Sequence, residues 1–157
     1  MAAAQRLVLR VNGAVSTVQV DPATPLIYVL RNNMGLTGSK LGCALDQCGA
    51  CRVLVDGAPA YSCTLAVAKA AASSVVTVEG LADGAALSAL QQAFITHRAA
   101  QCGYCTAGML ISATALLRDT PNPSAAEVRA ALQPHLCRCG AHPRIERAVL
   151  AAAQARS

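Results

Sequence analysis

The stretch GSKLGCALDQCGACRVLVDG (residues 38–57) places Cys43, Cys48 and Cys51 in a C-x4-C-x2-C spacing and ends on an apolar run that turns at Asp56-Gly57. Cysteines this close along the chain pair poorly with one another as disulfides. A compact loop can instead aim three thiolates at one small iron–sulfur cluster, provided that it turns tightly and offers backbone N–H groups to sulfurs that carry negative charge. The glycines of this stretch suit such a loop. Val53 to Val55 reads as a strand, and the hairpin at Asp56-Gly57 carries Cys63 back toward the loop as a fourth, more distant ligand. The whole pattern fits the spacing of plant-type ferredoxins for one [2Fe–2S] cluster.

On the N-terminal side, Leu7, Leu9 and Val11 alternate, Asn12-Gly13 is a favoured two-residue turn, and Val18 and Val20 resume the alternation. Residues 5–20 are therefore expected to form a hairpin. Thr24-Pro25 opens a short helix, with Thr24 as cap, Pro25 at the first helical position, and Leu26, Val29, Leu30 and Asn33 on one face. Val75 to Val78 supplies another strand. Strands, one helix, a cysteine loop and further strands within this length make a small α+β domain. Ala68 to Ser74 is the expected linker, with Ala82-Asp83-Gly84 as the alternative.

Beyond Gly80 the apolar period changes to that of helices. Leu87, Leu90 and Phe94 share one helical face. A second helix starts near Gly103 and runs through Met109, Leu110, Ala113, Leu116 and Leu117. Ser124-Ala125-Ala126-Glu127 is a capping-box signature for a third. Pro143 sits in the first turn of a fourth, which carries Ile145, Ala148, Val149 and Ala152. These read as a four-helix bundle. It contains a second cysteine quartet: Cys102 and Cys105 at a helix start, and Cys137 and Cys139 between the third and fourth helices. Folding would bring both pairs to one end, where helix N-termini favour an anionic cluster. Four cysteines in this arrangement also suit structural zinc, so the residues alone leave zinc and an iron–sulfur cluster both open for the second quartet. Rieske-type ligation by His97, His135 or His142 is not needed with two complete cysteine sets. Surface or loop positions are expected for these histidines.

The chain has 157 residues, 54% hydrophobic and 13% charged, with a formal charge of +5. That charge counts the cysteines as neutral, and two oxidised clusters with thiolate ligands would bring it to about +1. Basic residues are scattered, and three Tyr, one Phe and no Trp leave little for base stacking, so no nucleic-acid partner is expected. MAAAQRLVLRVNG at the N-terminus lacks the apolar core and cleavage site of a secretory signal, and no stretch reaches the length of a membrane span. The expected setting is cytoplasmic, or peripheral to a membrane through partners. No paired carboxylates and no Ser-His-Asp arrangement suggest a catalytic centre on this chain.

The quoted stretch, together with QCGYCTAGML (101–110) and HLCRCGAHPRI (135–145), resembles the small iron–sulfur subunit of the molybdenum hydroxylases, the xanthine-oxidase-like family. The resemblance runs from about Leu7 to Val149 and is strongest toward the small subunits of nicotinate and isoquinoline dehydrogenases. It implies a β-grasp, plant-type ferredoxin-like domain (1–78) followed by a four-helix domain (79–157). It implies one [2Fe–2S] cluster on Cys43, Cys48, Cys51 and Cys63 and a second on Cys102, Cys105, Cys137 and Cys139. The second lies nearer the molybdenum–pterin cofactor of a large partner subunit, and Gln101 matches the family glutamine that contacts the pterin. The implied function is electron transfer from that cofactor to an external acceptor, such as a c-type cytochrome or a flavin subunit, during oxidation of an N-heteroaromatic compound such as nicotinate, or of an aldehyde. Many members have Gly where this chain has Ala44 and Asp46. Asp tolerates left-handed backbone, so a slightly altered loop that still binds is expected.

Overall fold

The computed structural model describes residues 3–82 and 84–155. Strands β1 (Gln5–Val11) and β2 (Ala14–Val20) form the expected antiparallel hairpin, paired from Gln5↔Val20 to Val11↔Ala14. Asn12 and Gly13 both take positive φ at its turn, 51° and 79°, as a tight right-twisted hairpin requires. The alternation puts Leu9, Val11 and Val18 inside. A second hairpin joins β3 (Arg52–Val55) and β4 (Ala58–Tyr61) through Asp56-Gly57. With β5 (Ser74–Val76), these strands make one mixed sheet in the order β2-β1-β5-β3-β4, in which β1 and β5 run parallel.

A short helix, α1 (Leu26–Tyr28), lies on the sheet and continues as a π-helical turn over Val29–Asn33. Pro25, in extended conformation, is the residue before its first turn, so Thr24 is not the cap. The widened turn changes the helical face: the Met34 N–H reaches back five residues to the Val29 carbonyl at 3.2 Å, and Asn33 is left exposed. Leu26, Val29 and Leu30 pack as expected, against Leu9, Val11, Val53 and Val75. The expected linker at Ala68 to Ser74 is instead part of this layer. It holds α2 (Val67–Ala70), whose Val67 and Ala70 are fully buried, and the first residue of β5. Only the inner face of this segment is packed: Ala70 is buried, whereas Ala68 and Ala72 are exposed. In the alternative linker, Asp83 lies outside the described residues. Strand β5 stops at Val76, and Val78 begins a single 3-10 turn, Val78–Leu81, that packs toward the second half.

The second half contains α3 (Ala89–Thr96), α4 (Thr106–Asp119), α5 (Ala125–Leu132) and α6 (His142–Gln154). Full capping boxes start α3 at Ser88 and Gln91, and α5 at Ser124 and Glu127. The first of these fixes the entry to α3 after Leu87, which is exposed and outside the helix. Helix α4 starts at Thr106, later than Gly103, because the preceding turn is occupied by Cys102 to Cys105. Leu90, Phe94, Met109, Ala113, Leu117, Val128, Leu132, Ile145, Ala148, Val149 and Ala152 close one core. The two halves meet where Ile111 and Ala115 of α4 pack on Leu54 of β3. Among the described residues no helix is long and apolar enough to cross a membrane.

Candidate metal centres

The loop between the π-turn and β3 is irregular, and its conformation is fixed by contacts rather than by ladders. Arg31 Nη1 donates to the carbonyls of Thr37 and Ser39, at 2.7 and 2.8 Å, and the Gly38 N–H donates to Glu79 at 2.7 Å. Inside this frame the backbone curls around sulfur. The N–H groups of Leu45, Gln47 and Cys48 donate to Cys43 Sγ at 3.4, 3.3 and 3.3 Å, and the Cys43 N–H donates to Cys48 Sγ at 3.4 Å. This curl puts Ala44 and Asp46 at φ 58° and 47°, the left-handed region in which glycine is the easier residue. The Leu45 amide above all holds the Cys43 thiol down to about 7. Cys51 and Cys63 form the inner pair, packed with Ile27 beneath the loop, and burial pushes Cys51 up to about 12. The β3–β4 hairpin brings Cys63 there, as its position in sequence suggested.

The second quartet is assembled differently. Cys102 and Cys105 occupy the turn before α4, and Cys137 and Cys139 the turn before α6. The Cys102 thiol lies against that of Cys139, and the Cys105 thiol against that of Cys137, all four unbridged. The Tyr104 amide holds the exposed Cys102 thiol below its ordinary value, whereas burial pushes Cys105 up to about 12. The Ala141 N–H donates to Cys137 Sγ at 3.3 Å from the start of α6. Each quartet thus consists of two contacting pairs, one more exposed than the other. All eight thiols are free, and amide donors already face Cys43, Cys48 and Cys137. This donor set fits a cluster of two irons, which divides four thiolates into pairs. Among the described residues, no three His, Cys, Asp or Glu side chains close tightly enough to hold a single metal ion.

The two quartets adjoin. An apolar recess of about 320 Å³ lies between them, lined by Gly42, Cys43, Cys48, Cys102, Tyr104 and Leu136 among others. Tyr104 OH donates to the Leu41 carbonyl at 2.7 Å, and the Leu136 N–H to the Cys48 carbonyl at 3.0 Å, so each loop holds the other. Gln101, at the rim, donates from Nε2 to the Cys139 carbonyl at 2.9 Å.

Residues 9–82 match the family described as 2Fe-2S iron-sulfur cluster binding domain, and residues 77–150 match the [2Fe-2S] binding domain. One of the subunits of nicotinate dehydrogenase from Pseudomonas putida is 49% identical over 148 residues, which cover 94% of each chain. The chain belongs to the small [2Fe–2S] subunits of the molybdenum hydroxylases. The cofactor class is therefore two [2Fe–2S] clusters rather than zinc. Quinoline 2-oxidoreductase from Pseudomonas putida 86 contains a chain that superposes on this one with a TM-score of 0.93 at 42% identity, covering 98% of this chain and 96% of that one. The aldehyde oxidoreductase from Desulfovibrio gigas superposes with a TM-score of 0.91 at 37% identity, but there the matched fold fills only 17% of the chain. This small subunit serves a large partner, and the catalytic molybdenum centre of such an oxidoreductase lies on another chain.

Two residues of the site, Ser112 and Arg52, went unmarked in the sequence, and a third, His135, was expected only at a surface or loop position. His135 is a loop histidine but is only 3% exposed; Ser112 meets its ring at the junction of the halves and in turn accepts from Arg52. No spacing rule marks them, because their contacts join parts of the chain far apart in sequence. His142 lies at the start of α6 with Nε2 against the His135 carbonyl, and His97 ends α3.

Proposed function

We propose that Cys43, Cys48, Cys51 and Cys63 hold one [2Fe–2S] cluster of this electron-transfer subunit, that Cys102, Cys105, Cys137 and Cys139 hold the other, and that electrons enter at the second set and leave from the first. When bound, clusters of this kind accept and return one electron at a time without a proton or a covalent change. The carrying observation is the hydrogen bond from the Leu136 N–H to the Cys48 carbonyl. Leu136 is bonded to Cys137 and Cys48 is itself in the first set, so one hydrogen bond connects the two sets of ligands.

The direction follows from the rim. Gln101 and Cys102 are exposed, and with one amide proton of Gln101 engaged at Cys139, its Oε1 and second N–H are free to meet the pterin of a partner-borne molybdenum cofactor. The exit is the loop around Cys43, where Leu45 stands exposed, facing an acceptor such as a c-type cytochrome or a flavin subunit. By similarity to the relatives, the substrate oxidised on the partner is an N-heteroaromatic compound of the nicotinate type, or an aldehyde. Eight free thiols suit a reducing, cytoplasmic setting, or one peripheral to a membrane through partners. We place the domain division, 1–78 and 79–157, near the change of core: Val75 belongs to the first core, whereas Val78 already packs on the second, which favours a boundary a residue or two earlier.

Metal and acid-labile sulfide analysis of the assembled complex tests the ligand sets. About four iron and four sulfide per copy of this chain are expected, falling to about two of each in Cys48→Ser and in Cys137→Ser. Stoichiometric zinc, or full iron in either variant, would contradict the assignment. In the same preparation Gln101→Ala should keep its iron yet be reduced more slowly by substrate; an unchanged rate removes Gln101 from the site.

A further inference from the structure

We infer that His135 is a positioning residue for electron transfer, a buried wedge that fixes the separation of the two ligand sets. The inference rests on the ligand assignment above. Its backbone is tied to both neighbouring helices: the His135 N–H donates to the Leu132 carbonyl at the end of α5, at 2.9 Å, and its own carbonyl accepts from His142 Nε2 at 3.2 Å. Cys137 is two residues further on, so the ring and the second ligand set move as one piece.

The side chain reaches into the first half. Nε2 lies 2.8 Å from Ser112 Oγ on α4, and the same hydroxyl receives Arg52 Nη1 at 3.1 Å. Arg52 follows Cys51 directly and is itself immobilised, with Nη2 on Tyr61 OH at 2.9 Å and its guanidinium 4.5 Å from the centre of the Tyr61 ring. The imidazole lies directly on Gly49, between Cys48 and Cys51. A Cβ at Gly49 would collide with the ring, and one at Gly108 would collide with the Gly49 carbonyl. The Cys48–Cys51 segment is therefore pressed between α4 on one side and the His135 ring on the other. A flexible apolar side chain could fill the volume, but it would leave the Ser112–Arg52 pair without its third member and would not fix the ring plane. Imidazole has two rotatable bonds, and here both of its ends are located, one by Ser112 and the other by the Gly49 backbone.

Tunnelling falls exponentially with separation, so a wedge of this kind acts on the rate at which one electron leaves the second cluster, which is oxidised, and enters the first, which is reduced. No bond forms or breaks in that step. Because His135 is not a ligand, its removal should change the spacing and leave each cluster in place.

The test uses the assembled complex, reduced with excess dithionite so that both clusters are paramagnetic. Their magnetic interaction splits the low-temperature EPR spectrum and falls with the cube of their separation. His135→Ala is expected to narrow that splitting and to slow transfer between the clusters, with iron content and individual signals retained. His135→Gln, whose amide can replace Nε2 at Ser112, should recover most of both. Ser112→Ala, which removes only the hydroxyl, should give a smaller change in the same direction. An unchanged splitting in His135→Ala with both clusters loaded overturns the inference, as does failure of His135→Gln to recover it. If His135→Ala loses a cluster, Ser112→Ala decides, and wild-type splitting there overturns the inference. A wild-type complex lacking either signal would count against the ligand assignment itself.

Discussion

In the first half, three cysteines lie on one loop, residues 43–51, and the amides of that loop point at its own sulfurs. In the second half, the sulfurs come from two turns that only the packing of α4, α5 and α6 brings together, and the start of α6 supplies an amide, that of Ala141, to Cys137. The first centre is thus preorganised by local backbone, at the cost of left-handed Ala44 and Asp46. The second is preorganised by a helical core, with little local strain. Local damage should remain local in the first half, whereas any loosening of the bundle should reach the second centre. The seam at Gly49, Gly108 and His135 is where this independence ends.

Gly108→Ala should break the comparison most strongly. Its Cβ would meet backbone rather than a movable side chain, so α4 must shift away from the first loop, at a cost of about 3 kcal/mol. Urea unfolding of the complex should show the loss, and both centres should become labile together. If only one centre suffers, the seam does not couple them.

A second way to probe the seam is pH. Burial, aided by Arg52 and His142, lowers the His135 pKa to about 4, from an ordinary value of 6.5. With the folded value below the unfolded one, the unfolded chain binds the extra proton between those limits. The contribution is complete above the ordinary value and is lost as pH falls toward the folded one. Stability should therefore drop by about 2 kcal/mol from about pH 7 to about pH 5 through this group, and His135→Gln should lack that part of the drop. Identical pH dependence in the two proteins would show that the ring titrates alike in the folded and unfolded chain, and so is not held neutral by burial.

The smallest effect sharpens the account of the first loop. Ala44→Gly relieves a left-handed alanine and should stabilise the loaded first centre by about 1 kcal/mol, seen as slower loss of its signal under chelation, with the second centre unaffected. Equal loss rates would mean that the curl around Cys43 is not the strained element.

The same contrast explains what could be read in the sequence. The hairpins at Asn12-Gly13 and Asp56-Gly57, the capping box at Ser124 and the stripe from Ile145 to Ala152 are short-range patterns, and the structure follows them. Cys43, Cys48 and Cys51 announce themselves because their geometry is local. The second quartet was legible as a motif, but its pairing of Cys102 with Cys139 and Cys105 with Cys137 depends on how three helices pack. Ala68 to Ser74 misled because alanine is common both in loops and in short helices that bury a single face, here through Val67 and Ala70. No period in the sequence marks the π-turn after Val29, whose Val29 and Leu30 pack in the same core as the strand residues Leu9, Val11 and Val53. His135 was invisible as a seam residue because Ser112 and Gly49 meet it only after both halves have folded.

The serial order of the two centres is tested most directly by single-turnover reduction of the assembled complex with its oxidisable substrate, followed by EPR of each cluster in the Cys137→Ser and Cys48→Ser variants. Serine is a poorer ligand than thiolate for this cluster type, so each substitution should disable its own centre. In Cys137→Ser, substrate should still reduce the partner's molybdenum while the first centre is reduced far more slowly than in the unsubstituted complex. In Cys48→Ser, the second centre should be reduced at its usual rate while delivery to the external acceptor stops. Exchanged phenotypes would reverse the order, and normal turnover in either variant would contradict a relay that passes through both centres in series.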